Sequence, residues 1–331
     1  MKVNIYDVAK RAGVSVVTVS RVINNAPSVR ENNRQKVQSA MQELNYQPNA
    51  AARALARGKA GIVGLLTPGL NDAFMDQVVE AVDRHLMDHG LFLALSVIGS
   101  PETFEKRSNY LLKQDRVDGM ILLTPLFEEA FIPELKKSGI PYILIDNQAV
   151  PSSGTSIIVD NYKGGYEAVE HLISLGHKKI LHIAGPETYL SSRERKRGYM
   201  EAMRAYNINP FPIYTSEFSV ISGCNCVKEA FKQKLQPTAI FAADDLTAYG
   251  AIQGLREMSL VVPDDVSIVG FDDHPLSREL TPHLTTVQQP AEELGKRAVE
   301  ELLKEMEGIG RRSFTIKIKP QLIIRDSSRK I

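Results

Sequence analysis

Asn4-Ile-Tyr-Asp-Val-Ala-Lys-Arg-Ala-Gly13-Val14-Ser15-Val-Val-Thr-Val-Ser-Arg-Val-Ile-Asn24 decides how this chain begins: two short amphipathic helices around a three-residue turn. Asn4 caps a first helix whose apolar positions Ile5, Val8, Ala9 and Ala12 recur at helical spacing; Gly13 ends it and Ser15 caps the next. Helices joined in this way form a helix-turn-helix, whose second helix can enter a major groove. At roughly 100° per residue, Val19, Val22 and Ile23 share the packed face of that helix. Val17, Ser20, Arg21 and Asn24 then point outward, with Val16 on the flank. An Arg beside an exposed Val suits base edges, because Arg forks onto guanine and an apolar side chain covers a thymine methyl. Val16, Val17 and Arg21 are therefore candidate base contacts. Tyr6, Ser15, Thr18, Ser20, Asn24 and Asn49 are candidate phosphate contacts that fix register.

A third helix, Glu31 to Leu44, places Val37, Ala40, Met41 and Leu44 on one face and closes a small core. Pro48 blocks its continuation, and Asn49 caps an alanine-rich stretch that Gly58 stops. Residues 49 to 57 are too few for a helix stable on its own, since isolated helices need about 12 to 15 residues. The stretch reads as a hinge that folds when held. Leu55, among small alanines that include Ala52, is a candidate wedge for a minor-groove base step. The expected divisions are a helix-turn-helix domain at 1–48, a hinge and linker at 49–60, and a body at 61–331.

Charge divides the same way. Residues 1 to 60 carry ten Lys or Arg against three Asp or Glu, a formal +7, while the remaining 271 carry 30 against 36, a formal −6. The whole-chain value of +1 hides a basic head on an acidic body, the pattern of a phosphate-contacting module attached to something else. Cys224 and Cys226 stand two apart, neither a metal pair nor a redox motif, and so few cysteines fit a reducing, cytoplasmic setting. No run approaches about 18 apolar residues and the chain opens directly on the helix-turn-helix pattern, so neither a membrane span nor a signal peptide is expected.

From residue 61 the chain alternates short apolar runs with amphipathic segments. Strands are expected at 62–67, 92–97, 120–124, 142–145, 157–159, 180–184, 212–214, 239–242 and 266–271. Helices are expected near 73–89, 102–115, 128–138, 162–175, 192–206, 222–235 and 246–258. Repeated strand-helix units imply parallel sheets covered on both faces. The expected fold is an α/β core of two doubly wound parallel-sheet lobes, preceded by an all-α DNA-reading domain.

The ordered set Ile5-Tyr-Asp-Val-Ala, Gly13-Val-Ser, Thr18-Val-Ser-Arg-Val-Ile-Asn24, Leu44-Asn-Tyr-Gln-Pro-Asn49, Gly176-His, Gly185-Pro, Pro237-Thr-Ala-Ile, Gly270-Phe-Asp-Asp and Leu284-Thr-Thr-Val resembles the lactose and galactose repressor family of bacterial transcription regulators. The resemblance runs along essentially the whole chain. It implies a body like the periplasmic sugar-binding proteins, with a cleft between lobes and three crossovers. The N-lobe is then about 61–160 with 290–318, and the C-lobe about 161–289 with 319–326. It also implies a homodimer on a pseudopalindromic double-stranded operator, located in the bacterial cytoplasm and on the nucleoid when bound, with hinge helices paired in the minor groove.

The same resemblance places effector candidates at strand ends facing the crevice, where such folds hold small ligands. They are Asn71, Asp72, Phe74, Met75, Asp146, Arg193, Phe218, Asp244 and Asp272. Carboxylates and Arg hydrogen-bond several hydroxyls at once, and aromatic faces cover the apolar side of a ring. Sugar-responsive relatives commonly carry Asn in place of Asp244. An excess of Asp146, Asp244 and Asp272 over Arg193 favours hydroxyl-rich or cationic ligands over multiply anionic ones. A small sugar-like effector is thus expected, the alternative being control by a phosphorylated carrier protein docked on the first lobe. Neither a cofactor nor a metal is called for. His85-Leu-Met-Asp-His89 lacks the glutamate of a zinc protease, and nucleophile-elbow, Walker and dinucleotide-binding patterns are all missing. A catalytic role is not expected, and a cytosolic sugar-binding or sugar-processing protein is a remote alternative.

Overall fold

The computed structural model describes residues 3–24, 26–46, 59–70, 72–98, 117–124, 128–148, 154–309 and 313–331. The expected hinge at 49–57, with Asn49, Ala52 and Leu55, the expected helix at 102–115, and Asn71 all lie outside these residues. Internal contacts divide the chain after Gly61 into a helical unit and a larger body.

In the helical unit, Asn4 caps α1 (Ile5–Ala12) through a reciprocal box with Asp7, and Gly13 ends it in the left-handed conformation at φ 64°. Ser15 caps α2 (Val16–Ile23) by accepting from the Thr18 amide at 3.2 Å, and α3 (Glu31–Glu43) closes the unit. Val8, Val19 and Val37, one from each helix, are fully buried at its centre, and Val22, Ala9 and Ala40 surround them. Arg11 and Glu43 pair on its surface.

The body holds two six-stranded sheets. The first lobe contains β1 (Ile62–Thr67), β2 (Phe92–Val97), β3 (Gly119–Leu123), β4 (Tyr142–Ile145), β5 (Ser156–Val159) and the late strand β11 (Thr315–Ile318), in the order β11-β5-β4-β3-β1-β2. All its neighbours are parallel. The second lobe contains β6 (Ile180–Ala184), β7 (Ile213–Thr215), β8 (Ala239–Ala242), β9 (Ser267–Asp272), β10 (Thr285–Gln288) and β12 (Gln321–Ile323), in the order β12-β10-β9-β8-β6-β7. Only β10 with β12 runs antiparallel there. Buried central strands such as β3, β6 and β8 read as continuous apolar runs because helices cover both faces.

The chain passes between lobes three times: after β5, after β10 and between β11 and β12. The helices that cover the sheets are α4 (Ala73–Asp88), α5 (Glu128–Ser138), α6 (Asn161–Ser174), α7 (Leu190–Ala205), α8 (Val220–Lys232), α9 (Asp245–Glu257), the short α10 (Leu276–Glu279) and α11 (Ala291–Met306). Helix α11 returns to the first lobe and packs on α4 so closely that a Cβ at Gly295 would stand 2.6 Å from that of Ala81. His85, on the same seam, contacts Glu292 at 2.9 Å, which gives that histidine a structural role. β10, β11, β12 and α11 had not been assigned from periodicity. The three strands are only three or four residues long, and β11 and β12 reach their sheets only by chain crossover.

Candidate functional site

The outward face of α2 carries Val17, 59 % exposed, beside exposed Arg21 and partly exposed Ser20. Val16 is partly buried against the core and sits on the flank. Tyr6 on α1 is 69 % exposed, an aromatic hydroxyl aimed away from the core. Thr18 and Ser15 share a hydroxyl contact at 2.9 Å, so the first turn of α2 presents an ordered pair of small donors. An exposed β-branched apolar residue in the middle of a helix is stabilised by nothing in the unit itself. The arrangement suits base-edge contact by Val17 and Arg21, with Tyr6, Ser15, Thr18 and Ser20 disposed around it for phosphates. Asn24 follows the last turn of α2.

In the body, strand ends from both lobes line a cleft that is partly open to solvent. Asp72, Phe74, Met75, Thr124 and Asp146 line it from the first lobe, and Tyr189, Ser191, Arg195, Phe218, Asp244 and Asp272 from the second, with Gln289 on a crossover. Asp72 caps α4 by accepting from the amides of Phe74 (2.8 Å) and Met75 (3.3 Å), which leaves its carboxylate at the cleft wall. Asp244 does the same for α9, accepting from the Thr247 amide at 3.1 Å. Each is both a helix cap and a lining residue.

Backbone strain concentrates here. Of nine non-glycine residues with positive φ among the described residues, Thr124 (46°), Asp146 (51°), Phe218 (53°) and Asp272 (110°) line the cleft. Such conformations cost on the order of 1–3 kcal/mol each and persist where surrounding structure over-determines them.

Arg195 is the cation of the site. It is buried in the first turns of α7, donates through Nε to Asn161 Oδ1 (2.8 Å) and through Nη1 to the Ala243 carbonyl (2.5 Å), and stands 3.5 Å from Asp272 Oδ1. Its guanidinium also lies 3.7 Å over the centre of the Phe271 ring. Gln289 Nε2 donates to Asp272 Oδ1 at 2.6 Å. Burial pushes the Asp272 carboxyl well above the usual range; Arg195 pulls it back down, while Asp72 and Asp244 push it further up. Asp244 is likewise raised, first by burial and then by Asp72, against the lowering effect of the Thr247 bonds and Arg195.

The structure brings together seven of the sequence-expected residues: Asp72, Phe74, Met75, Asp146, Phe218, Asp244 and Asp272. Arg193 is not among the lining residues. It points to the rim, where it donates to the carbonyls of Glu187 (2.7 Å), Thr188 (3.2 Å) and, across the lobes, Gln148 (3.3 Å). Thr124, Tyr189, Ser191, Arg195 and Gln289 had been missed. A signal for Arg195 was present: the inward face of α7 runs through Ser192, Arg195, Tyr199 and Ala202, at helical spacing, and position 193 falls off it.

Residues 4–49 match the bacterial regulatory proteins of the lacI family, and residues 169–328 match the periplasmic binding protein-like domain. Over the full length, the chain is 36 % identical to the HTH-type transcriptional repressor PurR of Edwardsiella ictaluri, covering 98 % of this chain and 96 % of the relative. The chain belongs to the lacI family. The HTH-type transcriptional regulator DegA of Bacillus subtilis is 34 % identical over 99 % of this chain and 98 % of its own. Among solved structures, the lac repressor dimer bound to operator and an anti-inducer superimposes with a TM-score of 0.90 at 32 % identity, over 99 % of this chain and all of the other. The regulator CelR in complex with cellobiose gives 0.77 at 30 %, covering 98 % and 99 %. This lacI-family member is therefore a DNA-binding regulator of transcription and not an enzyme. No helix among the described residues is long and apolar enough to cross a membrane.

Proposed function

We propose that this lacI-family regulator is a cytoplasmic homodimeric repressor whose affinity for a pseudopalindromic operator is set by a small hydroxyl-rich effector, a sugar or related metabolite, bound between its lobes. The observation that carries the reading is the cleft itself. It is lined from both lobes by carboxylates, one buried guanidinium and three aromatic rings, Phe74, Tyr189 and Phe218, at strand ends where backbone strain is concentrated. Among relatives of similar fold, the regulator CelR is in complex with cellobiose and the lac repressor dimer with an anti-inducer, which supports a small-molecule effector here. Because lining groups come from two lobes, an occupant has different contacts when the lobes are apart and together, and differential contact is what shifts an equilibrium. In this reading Val17 and Arg21 read bases, and the segment 49–57 couples lobe angle to operator binding.

The test is a thermal-shift screen of common sugars on the full chain, followed by operator titration with each hit. A hit that shifts operator affinity, and no longer does so in Arg195→Met, is the expected result. Operator binding that ignores every small molecule but responds to a phosphorylated carrier protein would move control from the cleft to a protein surface.

A further inference from the structure

We propose that Gln148 is a clasp between the two lobes, a positioning residue that holds the start of α7 to the loop after β4 and so sets the lobe separation at which the cleft takes its occupant. The last clause rests on the cleft being an effector site; the clasp itself does not. Gln148 is not among the residues that line the cleft. It follows the lining residue Asp146 by two positions in the first lobe and reaches partners in the second.

The need for a clasp begins with α7. The first four amides of a helix have no partner within it and must find one elsewhere. Tyr189, at the N-cap position, offers no side-chain bond. Gln148 Oε1 accepts from the Leu190 amide instead, at 2.7 Å. The glutamine is itself held in place, because its Nε2 donates to the Asp146 carbonyl at 2.8 Å. A backbone N–H only donates and a carbonyl only accepts, so these two partners fix which end of the side-chain amide points where. Glu would set an oxygen against the Asp146 carbonyl, and Leu would satisfy neither partner. Arg193 closes the clasp from the second lobe. Its Nη2 donates to the Gln148 carbonyl at 3.3 Å, while Nη1 is anchored on the Glu187 and Thr188 carbonyls of its own lobe.

The clasp is continuous with the cleft wall. Asp146 stands two residues before Gln148, Tyr189 and Ser191 flank Leu190, and all three line the cleft. Asp146 takes a left-handed φ of 51°, a conformation kept where surroundings impose it, and the Gln148 bond to its carbonyl is one such constraint. A lobe movement that parts Gln148 from Leu190 therefore moves lining residues apart as well. An occupant that touches Asp146 and Ser191 at once favours the state in which Gln148 and Leu190 meet. Each bond is modest, about three- to tenfold in an equilibrium constant. That scale biases the lobe separation without locking it, as a switch requires.

The experiment is a double-mutant cycle on the full chain. Gln148→Leu removes both the acceptor and the donor from the first lobe. Leu190→Pro removes the amide from the second, at the first helical position, where proline is tolerated and where the extended backbone of Tyr189 (φ −90°, ψ 129°) suits a following proline. Without any ligand, the Leu190 amide is expected to exchange hydrogen at least about tenfold faster in Gln148→Leu than in the wild type. The radius of gyration from small-angle scattering is expected to rise in each single variant and no further in the double. In calorimetric titrations with cellobiose, D-glucose and D-galactose, a sugar that binds the wild type is expected to bind each single variant about three- to tenfold more weakly, and the double variant no more weakly than either.

A Leu190 amide that stays protected in Gln148→Leu, or losses that add in the double variant, would overturn the clasp. Faster exchange with an unchanged radius of gyration would reduce Gln148 to a helix cap and overturn it too. Should the ligand-free measurements come out as expected while no sugar binds the wild type, the sugar-effector reading would fail and the clasp would stand.

Discussion

Arg193 and Arg195 differ by two positions and by about 200° of helix, and that rotation separates a rim residue from a cleft residue. Arg195→Met should abolish the response of operator binding to effector while leaving effector-free operator affinity intact. Arg193→Ala removes rim bonds to Glu187, Thr188 and Gln148 and should weaken effector binding only about three- to tenfold, the scale of about 1 kcal/mol for such bonds. Isothermal titration of both variants decides it, and a larger loss in Arg193→Ala would reverse the assignment. Most of the cleft was legible because strand-end carboxylates and aromatics stand out against apolar runs. Arg195 was not legible in this way, because the resemblance points to position 193 while the helical face that Ser192, Tyr199 and Ala202 define carries position 195. At the DNA-reading face the burial pattern leaves Val17 and Arg21 outward. Arg21→Ala should cost about 1–3 kcal/mol per subunit on the operator and relax base preference at one position per half-site. Equal losses on operator and random DNA in a competition assay would make Arg21 a phosphate contact.

Helix starts show where sequence reading gives way to tertiary structure. The start of α7 was expected at residue 192, but the helix begins at Leu190, and its N-cap Tyr189 makes no side-chain capping bond. The Leu190 amide donates instead to Gln148 Oε1 of the other lobe at 2.7 Å, a partner 42 residues away that local patterns cannot reveal. Helices α1, α2, α4 and α9 were legible at their starts because Asn4, Ser15, Asp72 and Asp244 cap them from within. Strand β6 carries a different hidden feature. His182 is fully buried between Tyr199 and Phe241, at centroid distances of 5.0 and 4.8 Å, and donates from Nδ1 to the Phe241 carbonyl, while its Nε2 has no partner. Burial lowers its pKa to about 4, against 6.5 for a free imidazole. Between those values the unfolded chain holds a proton that the folded one refuses, so stability falls as pH drops through this window, by up to about 3 kcal/mol. His182→Phe fills the same aromatic stack without a titrating group and should flatten this part of the stability profile. Denaturant midpoints between about pH 6.5 and 4.5 measure it, and an unchanged slope would assign the acid sensitivity to other groups.

On the scale of the whole molecule, the body trades stability for an acid-rich cleft. Asp244 is raised above the ordinary carboxylate range, first by burial and then by Asp72, and Asp272 is raised well above it. A carboxyl raised in the folded state holds its proton where the unfolded chain has already released it. Stability from that group therefore declines as pH climbs from the free value of 3.8 through the folded one, and the full cost is carried above it. Asn at position 244 keeps an oxygen for the Thr247 amide and removes the charge that repels Asp72 and Asp272. Asp244→Asn should therefore raise the melting temperature of the ligand-free protein at neutral pH. The gain should shrink steadily as pH is lowered toward 3.8, because there the wild-type carboxyl is neutral too. The same variant should bind effector less tightly, so that stability rises where response is lost, the exchange expected when a binding site holds like charges together. Thermal denaturation of both proteins across that pH range tests the sign and the trend together. A gain that does not vary with pH would attribute the change to packing, and a loss at neutral pH would show that the charge at 244 stabilises the cleft through a contact that outweighs its repulsion.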